Sequence, residues 1–127
     1  MNTKSKIVIA TLAGAALGAT AIQGLHAQAK LKAYSVSELE VIGATESGYL
    51  AAARKAIEAA HGRALRTVKG RVVSIEGSPA PKNVGIVEWN SVDDALAFYK
   101  SKAWTDLAPQ RDQGQKTIRR YVVEVEK

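Results

Sequence analysis

The stretch from Val84 to Arg111, VGIVEWNSVDDALAFYKSKAWTDLAPQR, constrains the fold of this chain more than any other. VGIVEW is a nearly continuous apolar run of strand length, the pattern of a strand covered on both faces. Asn90 and Ser91 end it. Ser91 is placed to accept a hydrogen bond from the backbone near Asp94, and Asp93 and Asp94 fall where the positive end of a helix dipole favours acids. A strand therefore passes into a capped helix within two residues. Val92, Ala95, Leu96, Tyr99 and Ala103 form the expected inner stripe of that helix, with Phe98 at its margin. A second capped turn is expected from Ser101, carrying Trp104, Leu107 and Ala108 until Pro109 disturbs it.

The remaining elements follow from periodicity. Apolar and polar residues alternate from Tyr34 to Val41, as a half-buried strand requires. From Gly48 to Ala60, behind a cap at Thr45 or Ser47, Tyr49, Ala53, Ala56 and Ala60 recur at helical spacing with Leu50 and Ile57 beside them. Arg54, Lys55 and Glu58 take the other side. The helix is expected to stop at His61 and Gly62, with the glycine taking the left-handed conformation. Ala64 to Lys69 and Arg71 to Glu76 are two short β-rich runs split by Gly70, either one bent strand or two. Pro79 and Pro81 make Gly77 to Asn83 a loop. Asp112 to Gly114 is turn-prone, and Arg119 to Glu126 is the last strand, with Tyr121, Val123 and Val125 facing one way and Glu124 and Glu126 the other. Strand, helix, strand, strand, helix, strand is the α+β order of a ferredoxin-like βαββαβ sandwich, with both helices on one face of an antiparallel sheet.

The amino-terminal segment has the three parts of a secretory signal: Lys4 and Lys6, an apolar run from Ile7 to Ile22, and the small-residue sequence Ala27, Gln28, Ala29. Cleavage after Ala29 is expected. The alternative, a retained anchor, asks for roughly 20 apolar residues, and this run is shorter, rich in Ala and Gly and followed by Gln23. Taking residues 1–29 from the 127 leaves 98, residues 30–127, enough for one domain, periplasmic or secreted and free of the membrane after cleavage. Loss of Lys4 and Lys6 lowers the formal charge from +6 to +4. Acids and bases alternate along the chain, so Arg63, Arg66, Lys69, Arg71, Arg119 and Arg120 read as solvated edge and loop charges and not as a nucleic-acid footprint. The absence of cysteine leaves packing alone to hold an exported domain together and removes thiol chemistry and thiolate metal sites.

A ferredoxin-like sheet with helices on one face leaves its other face open, yet Val84, Ile86, Val87 and Trp89 put apolar residues on both sides of the third strand. A second copy packed sheet to sheet in a symmetric homodimer is the simplest cover. The strand Tyr34 to Val41, the RVVSIEG segment, VGIVEWNSVDDALAFYKSKAW and LAPQR together resemble the family known as domain of unknown function 1330 over nearly all of residues 30–127. Its most specific marks here are Trp89, Ser91, Ala95, Phe98, Tyr99, Ser101, Trp104, Leu107, Pro109 and Arg111. The resemblance implies the dimeric α/β-barrel superfamily, which includes small monooxygenases, isomerases, haem-handling enzymes and plain ligand binders. Ser35 and Ser37 depart from a pattern in which the first strand is commonly more apolar, and the signal segment is an addition many relatives lack.

Trp89, Tyr99 and Trp104 are expected to line a pocket between the sheet and the second helix, with Arg111 offering a fixed cation to a bound anion. Core packing explains Phe98 and Tyr99 as well, and Asp106 could pair with Arg111 instead. His61, the single histidine once His26 has left with the signal, is the candidate for a haem or general-base role, although helix-end capping also explains it. Glu38 and Glu40 share one side of the first strand, where Glu88 could join them for acid and base work or for a hard metal, or where Arg119 or Arg120 could pair with them. No glycine loop cradles phosphate and no metal set or cofactor is indicated. Three functions remain open: an exported domain binding a small apolar or anionic molecule, a cofactor-independent monooxygenase- or isomerase-like enzyme, and a structural or interaction protein without ligand.

Overall fold

A computed structural model describes residues 30–44, 47–67 and 71–126 of the chain. The expected signal segment 1–29, the cap Thr45, and Lys69 and Gly70 lie outside the described residues. Eight elements follow in order: β1 (Lys32–Val41), α1 (Ser47–Ala59), β2 (Arg63–Leu65), β3 (Asn83–Trp89), α2 (Val92–Lys100), α3 (Lys102–Thr105), α4 (Ala108–Gly114) and β4 (Gln115–Val125). The sheet runs β2-β3-β1-β4 and every pairing is antiparallel. This is the ferredoxin-like order, with the first and third strands central.

Register decides which side chains meet the helices. Ala33, Ser35 and Ser37 of β1 stand opposite Trp89, Val87 and Gly85 of β3, and opposite Glu124, Val122 and Arg120 of β4. Trp89, Val87, Ala33 and Ser35 are buried beneath Tyr49, Ala53 and Ile57 of α1 and Ala95 and Phe98 of α2. The alternation in β1 is therefore turned over relative to the reading in which its apolar residues meet the core. Its serines face inward, and Tyr34 and Val36 face the open side. A buried hydroxyl is tolerated there because it is fully bonded: Trp89 Nε1 donates to Ser35 Oγ at 3.0 Å, and Ser35 Oγ and the Tyr99 hydroxyl lie 2.7 Å apart.

The helices keep their predicted starts better than their predicted stripes. Ser91 Oγ accepts from the Asp94 N–H at 3.1 Å, and Asp93 and Asp94 occupy the first turn. Phe98, expected at the margin of α2, is in the core, whereas Leu96 is 42% exposed. The buried stripe runs instead through Ala95 and Phe98, whose ring packs on Trp89 with the centroids 5.0 Å apart. Ser101 sits at the start of α3 but its hydroxyl donates backward to the Phe98 carbonyl at 2.6 Å, closing α2 instead of capping α3. Pro109 does not end a helix. It lies in the first turn of α4, where a missing N–H costs nothing, and Asp112 to Gly114 continue that helix instead of turning.

Two further expectations change. Among the described residues after α1, pairing with β3 is confined to Arg63–Leu65, the start of the first β-rich run. Arg71 to Glu76 is irregular with Val73 exposed and Ile75 91% exposed, because no neighbouring strand of the described chain lies beside it. At the end of α1 the left-handed residue is His61 (φ 66°), not Gly62. The His61 and Gly62 N–H groups donate to the carbonyls of Glu58 and Ile57 at 3.0 and 2.9 Å, the paired closure of a Schellman motif. Gly62 is needed for a different reason: a Cβ there would come within 2.8 Å of the Trp89 ring and of Ile57 Cγ2.

These roles predict opposite effects at adjacent positions. Gly62→Ala should destabilise by about 2 kcal/mol through overpacking against Trp89. His61→Gly should stabilise by about 0.5 kcal/mol, since the relief of a strained left-handed residue exceeds the added freedom of the unfolded chain. Urea unfolding of the two variants beside the wild type reads both signs.

Candidate functional site

On the helix-covered side of the sheet, α1 stands off from β1 and β3 and leaves a cavity of about 490 Å³. Leu39, Ala53, Ile57, Ala64 and Val87 supply apolar wall, and Tyr49, Tyr99 and Trp104 supply aromatic wall. Ser37, Gln115, Arg54 and Arg120 are polar parts of the lining, and no carboxylate of the described residues belongs to it. A cavity of this size, mostly apolar with a few converging polar groups, has the form of a small-molecule site.

Arg120 is the polar centre of this wall. It stands opposite Ser37 across the β1–β4 ladder, and its Nε donates to Ser37 Oγ at 2.8 Å. Its guanidinium carbon lies 4.9 Å from the Trp104 ring centroid and 5.3 Å from that of Tyr99, within cation–π range of both. Burial lowers the Arg120 pKa from its ordinary value, Tyr99 nearby offsets this in part, and the charge of Arg111 lowers it again. An arginine nonetheless keeps its proton. Among the described residues no acid stands at ion-pair distance from Arg120. Burial raises the Tyr49 and Tyr99 pKa values, so both phenols are neutral hydrogen-bonding groups at ordinary pH.

The structure distributes the expected site residues over two layers. Tyr99 and Trp104 line the cavity, but Trp89 is 0% exposed and belongs to the core beneath it. Arg111 is 9% exposed and lies outside the lining, with its guanidinium carbon 4.5 Å from the Trp104 ring centroid. Its Nε stands 3.5 Å from Asp112 Oδ1, and its buried Nη1 has no hydrogen-bond partner among the described residues. Asp106 pairs with Lys102 at 2.6 Å and not with Arg111. The cavity sits under the first helix, with the second helix contributing Tyr99 at one end, whereas the pocket was expected at the second helix.

His61 is exposed beyond the end of α1 and is not part of the lining. The strand glutamates lie on the open face. Glu38 is opposite Val84 and Glu88 opposite Tyr34, four residues apart along β1, so roughly 13 Å of strand separates them and they do not form a carboxylate pair. Arg119 bonds Glu38 at 2.7 Å and holds its pKa below the ordinary carboxylate range. Glu88 is lowered likewise by hydrogen bonds from Lys32, at 2.8 Å, and from Arg63, at 3.0 Å. Among the described residues no group of three or more His, Cys, Asp or Glu side chains is arranged to hold a metal ion.

Sequence reasoning missed Arg120, Ser37 and Tyr49. A signal for Arg120 was present: if Tyr121, Val123 and Val125 share one face of β4, then Arg120 and Val122 share the other. Grouping Arg120 with Arg119 as surface charge hid that parity.

With this geometry in place, the chain belongs to the family described as domain of unknown function (DUF1330), whose model matches residues 32–125. It is also similar in fold to the crystal structure of a protein of unknown function from Rhodopseudomonas palustris, at 13% identity over 77% of this chain and 85% of that one, with a TM-score of 0.57. No curated protein matches the chain.

Two predictions test the groups placed here. Ser35→Ala leaves both the Trp89 N–H and the Tyr99 hydroxyl without their shared partner and should cost about 2 kcal/mol, against about 1 kcal/mol for Tyr99→Phe, which leaves the Trp89 bond intact. Thermal or urea melts rank the two. Because the folded Glu38 pKa is depressed, its pairing adds stability above the ordinary carboxylate pKa and loses it as pH falls through the lowered value. Arg119→Met should therefore lower the urea midpoint by a constant amount above about pH 6, with the gap to wild type narrowing as pH falls through the ordinary carboxylate range and then through the lowered Glu38 pKa.

Proposed function

We propose that residues 30–127 act, after export and removal of residues 1–29, as a periplasmic or secreted homodimer that holds a small, partly apolar or anionic molecule in the cavity beneath α1. The observation that carries the reading is the lining itself: apolar and aromatic walls converge on Arg120, with no carboxylate among the described lining residues to neutralise it. A cation kept half-buried without a protein counter-charge costs desolvation that a bound anion repays. The open sheet face supports the dimer. Tyr34, Val36, Val84 and Ile86 are half-buried there, and Tyr121, Val123 and Val125 are exposed beside them. One self-complementary patch of that kind is enough for an isologous interface. The amino-terminal charge, apolar run and small-residue cleavage sequence support export. Among the described residues no helix is long and apolar enough to cross a membrane.

Native mass spectrometry of the protein recovered from the periplasm tests all three parts in one measurement. The expected result is a dimer of chains beginning at Lys30, with a bound small molecule that is released on collisional activation. A strict monomer at micromolar concentration overturns the dimer, a chain retaining residues 1–29 overturns cleavage, and a ligand-free mass unchanged on exposure to apolar and anionic probes overturns the binding reading.

A further inference from the structure

The chemistry of the lining narrows the ligand class, and this step rests on the binding reading above. We infer that the cavity takes a monocarboxylic acid with a flat apolar body, its carboxylate received end-on by the two terminal nitrogens of Arg120.

Only part of the Arg120 donor set remains available to a ligand. A guanidinium is a planar fork with five N–H donors. Its Nε donor is spent on Ser37 Oγ, and the group lies against the Tyr99 and Trp104 rings, which occupy space a ligand would need to approach its faces. The end of the fork is left, and side-by-side donors in one plane match the two oxygens of a carboxylate. Ser37 and the two rings also fix the fork before a ligand arrives, which lowers the entropic cost of binding.

Charge sets the valence. Arg111 lies outside the lining, with its guanidinium carbon 4.5 Å from the Trp104 ring centroid, an orphaned buried Nη1 and Asp112 at 3.5 Å, so it adds positive field beside the one buried fork that the lining contains. Arg54 lines the cavity from the exposed side of α1. One buried fork suits a single negative charge. A phosphate dianion would bring a second negative charge for which the lining holds no second buried fork, since its other arginine, Arg54, is exposed. The same residues, with Tyr49 and Trp104, suit a hydrocarbon or aromatic body.

The test measures binding of biphenyl-4-carboxylate and its neutral primary amide to the full cleaved chain by calorimetry at pH 7. The wild type should bind both, the acid about ten-fold or more tightly, the size of effect a charge-assisted paired hydrogen bond supplies. Arg120→Met should bind the two alike, and Arg120→Lys, which keeps the charge but not the fork, should lose most of the preference. A thermal melt of each variant establishes that it folds, and Ser37→Ala provides a second, milder variant in which the unfixed fork should show a reduced preference. Equal binding of acid and amide by the wild type overturns the carboxylate inference and leaves the cavity reading standing. A preference that survives in Arg120→Lys or Arg120→Met, or that vanishes in Arg111→Met alone, overturns the assignment to Arg120. Binding of neither probe overturns this inference and the cavity reading together.

Discussion

The indole N–H of Trp89 must find an acceptor in a place water does not reach, and much of the structure follows from how it does. Trp89 is fully buried at the end of β3. Its acceptor is Ser35, 54 positions away in the sequence but on the adjacent strand, two residues along from its cross-strand partner Ala33. A polar residue is thus required on the inner face of β1, and the strand's alternation then sends Tyr34 and Val36 to the opposite side. The demand of one buried donor makes the helix side of the sheet partly polar and the open side apolar. Tyr99 completes the arrangement by sharing the Ser35 hydroxyl, which ties α2 to the centre of the sheet.

The cavity is the next consequence. Small side chains line the inner face of β1, and Gly85 faces Ser37 on β3, so the sheet beneath α1 lacks the bulk that would fill the layer. Phe98, Trp89 and Trp104 concentrate volume at the α2 end, with Phe98 and Trp104 centroids 5.4 Å apart. The space left over lies under α1, bounded by Tyr49, Ala53 and Ile57. Packing and site are two outcomes of one uneven distribution of side-chain volume, and Arg120 stands at the border between them.

Local signals were legible in the sequence where one residue type serves one geometric need. Ser91 before Asp93 and Asp94, the apolar run of β3 and the order of elements all lead to the observed fold. Family likeness and periodicity agree there. The failures have a common physical origin, in that periodicity gives the parity of a strand or helix but not its absolute phase. Ser35 and Ser37 face inward because of a bond to a residue 54 positions away, information that no local window contains. Phe98 takes the core place expected of Leu96 for a similar reason, since its ring packs on Trp89, a residue of another element. Of the candidate site residues, Tyr99 and Trp104 were placed by their size and apolarity, but separating them from Trp89 required knowing depth. His61 illustrates a different limit: a His-Gly pair says that a helix ends, not which of the two residues bears the left-handed conformation and which yields space to a ring.

The ladder between β1 and β4 slips by one residue, where Glu38 faces Arg119 and Leu39 faces Thr117, leaving Ile118 without a partner. That extra residue changes the strand's parity. On one side of it the even-numbered Arg120 looks toward the cavity, and on the other the odd-numbered Gln115 does so, both as part of the same lining. A regular strand offers its two faces strictly by turns; this one behaves as two short strands spliced out of phase, each contributing its own inward set. Deleting Ile118 would join Thr117 to Arg119 in one unbroken register with Leu39 and Glu38 and leave both Arg120 and Gln115 facing the chamber, so the wall is held by the pairing with β1 and the extra residue is spliced in without cost to it.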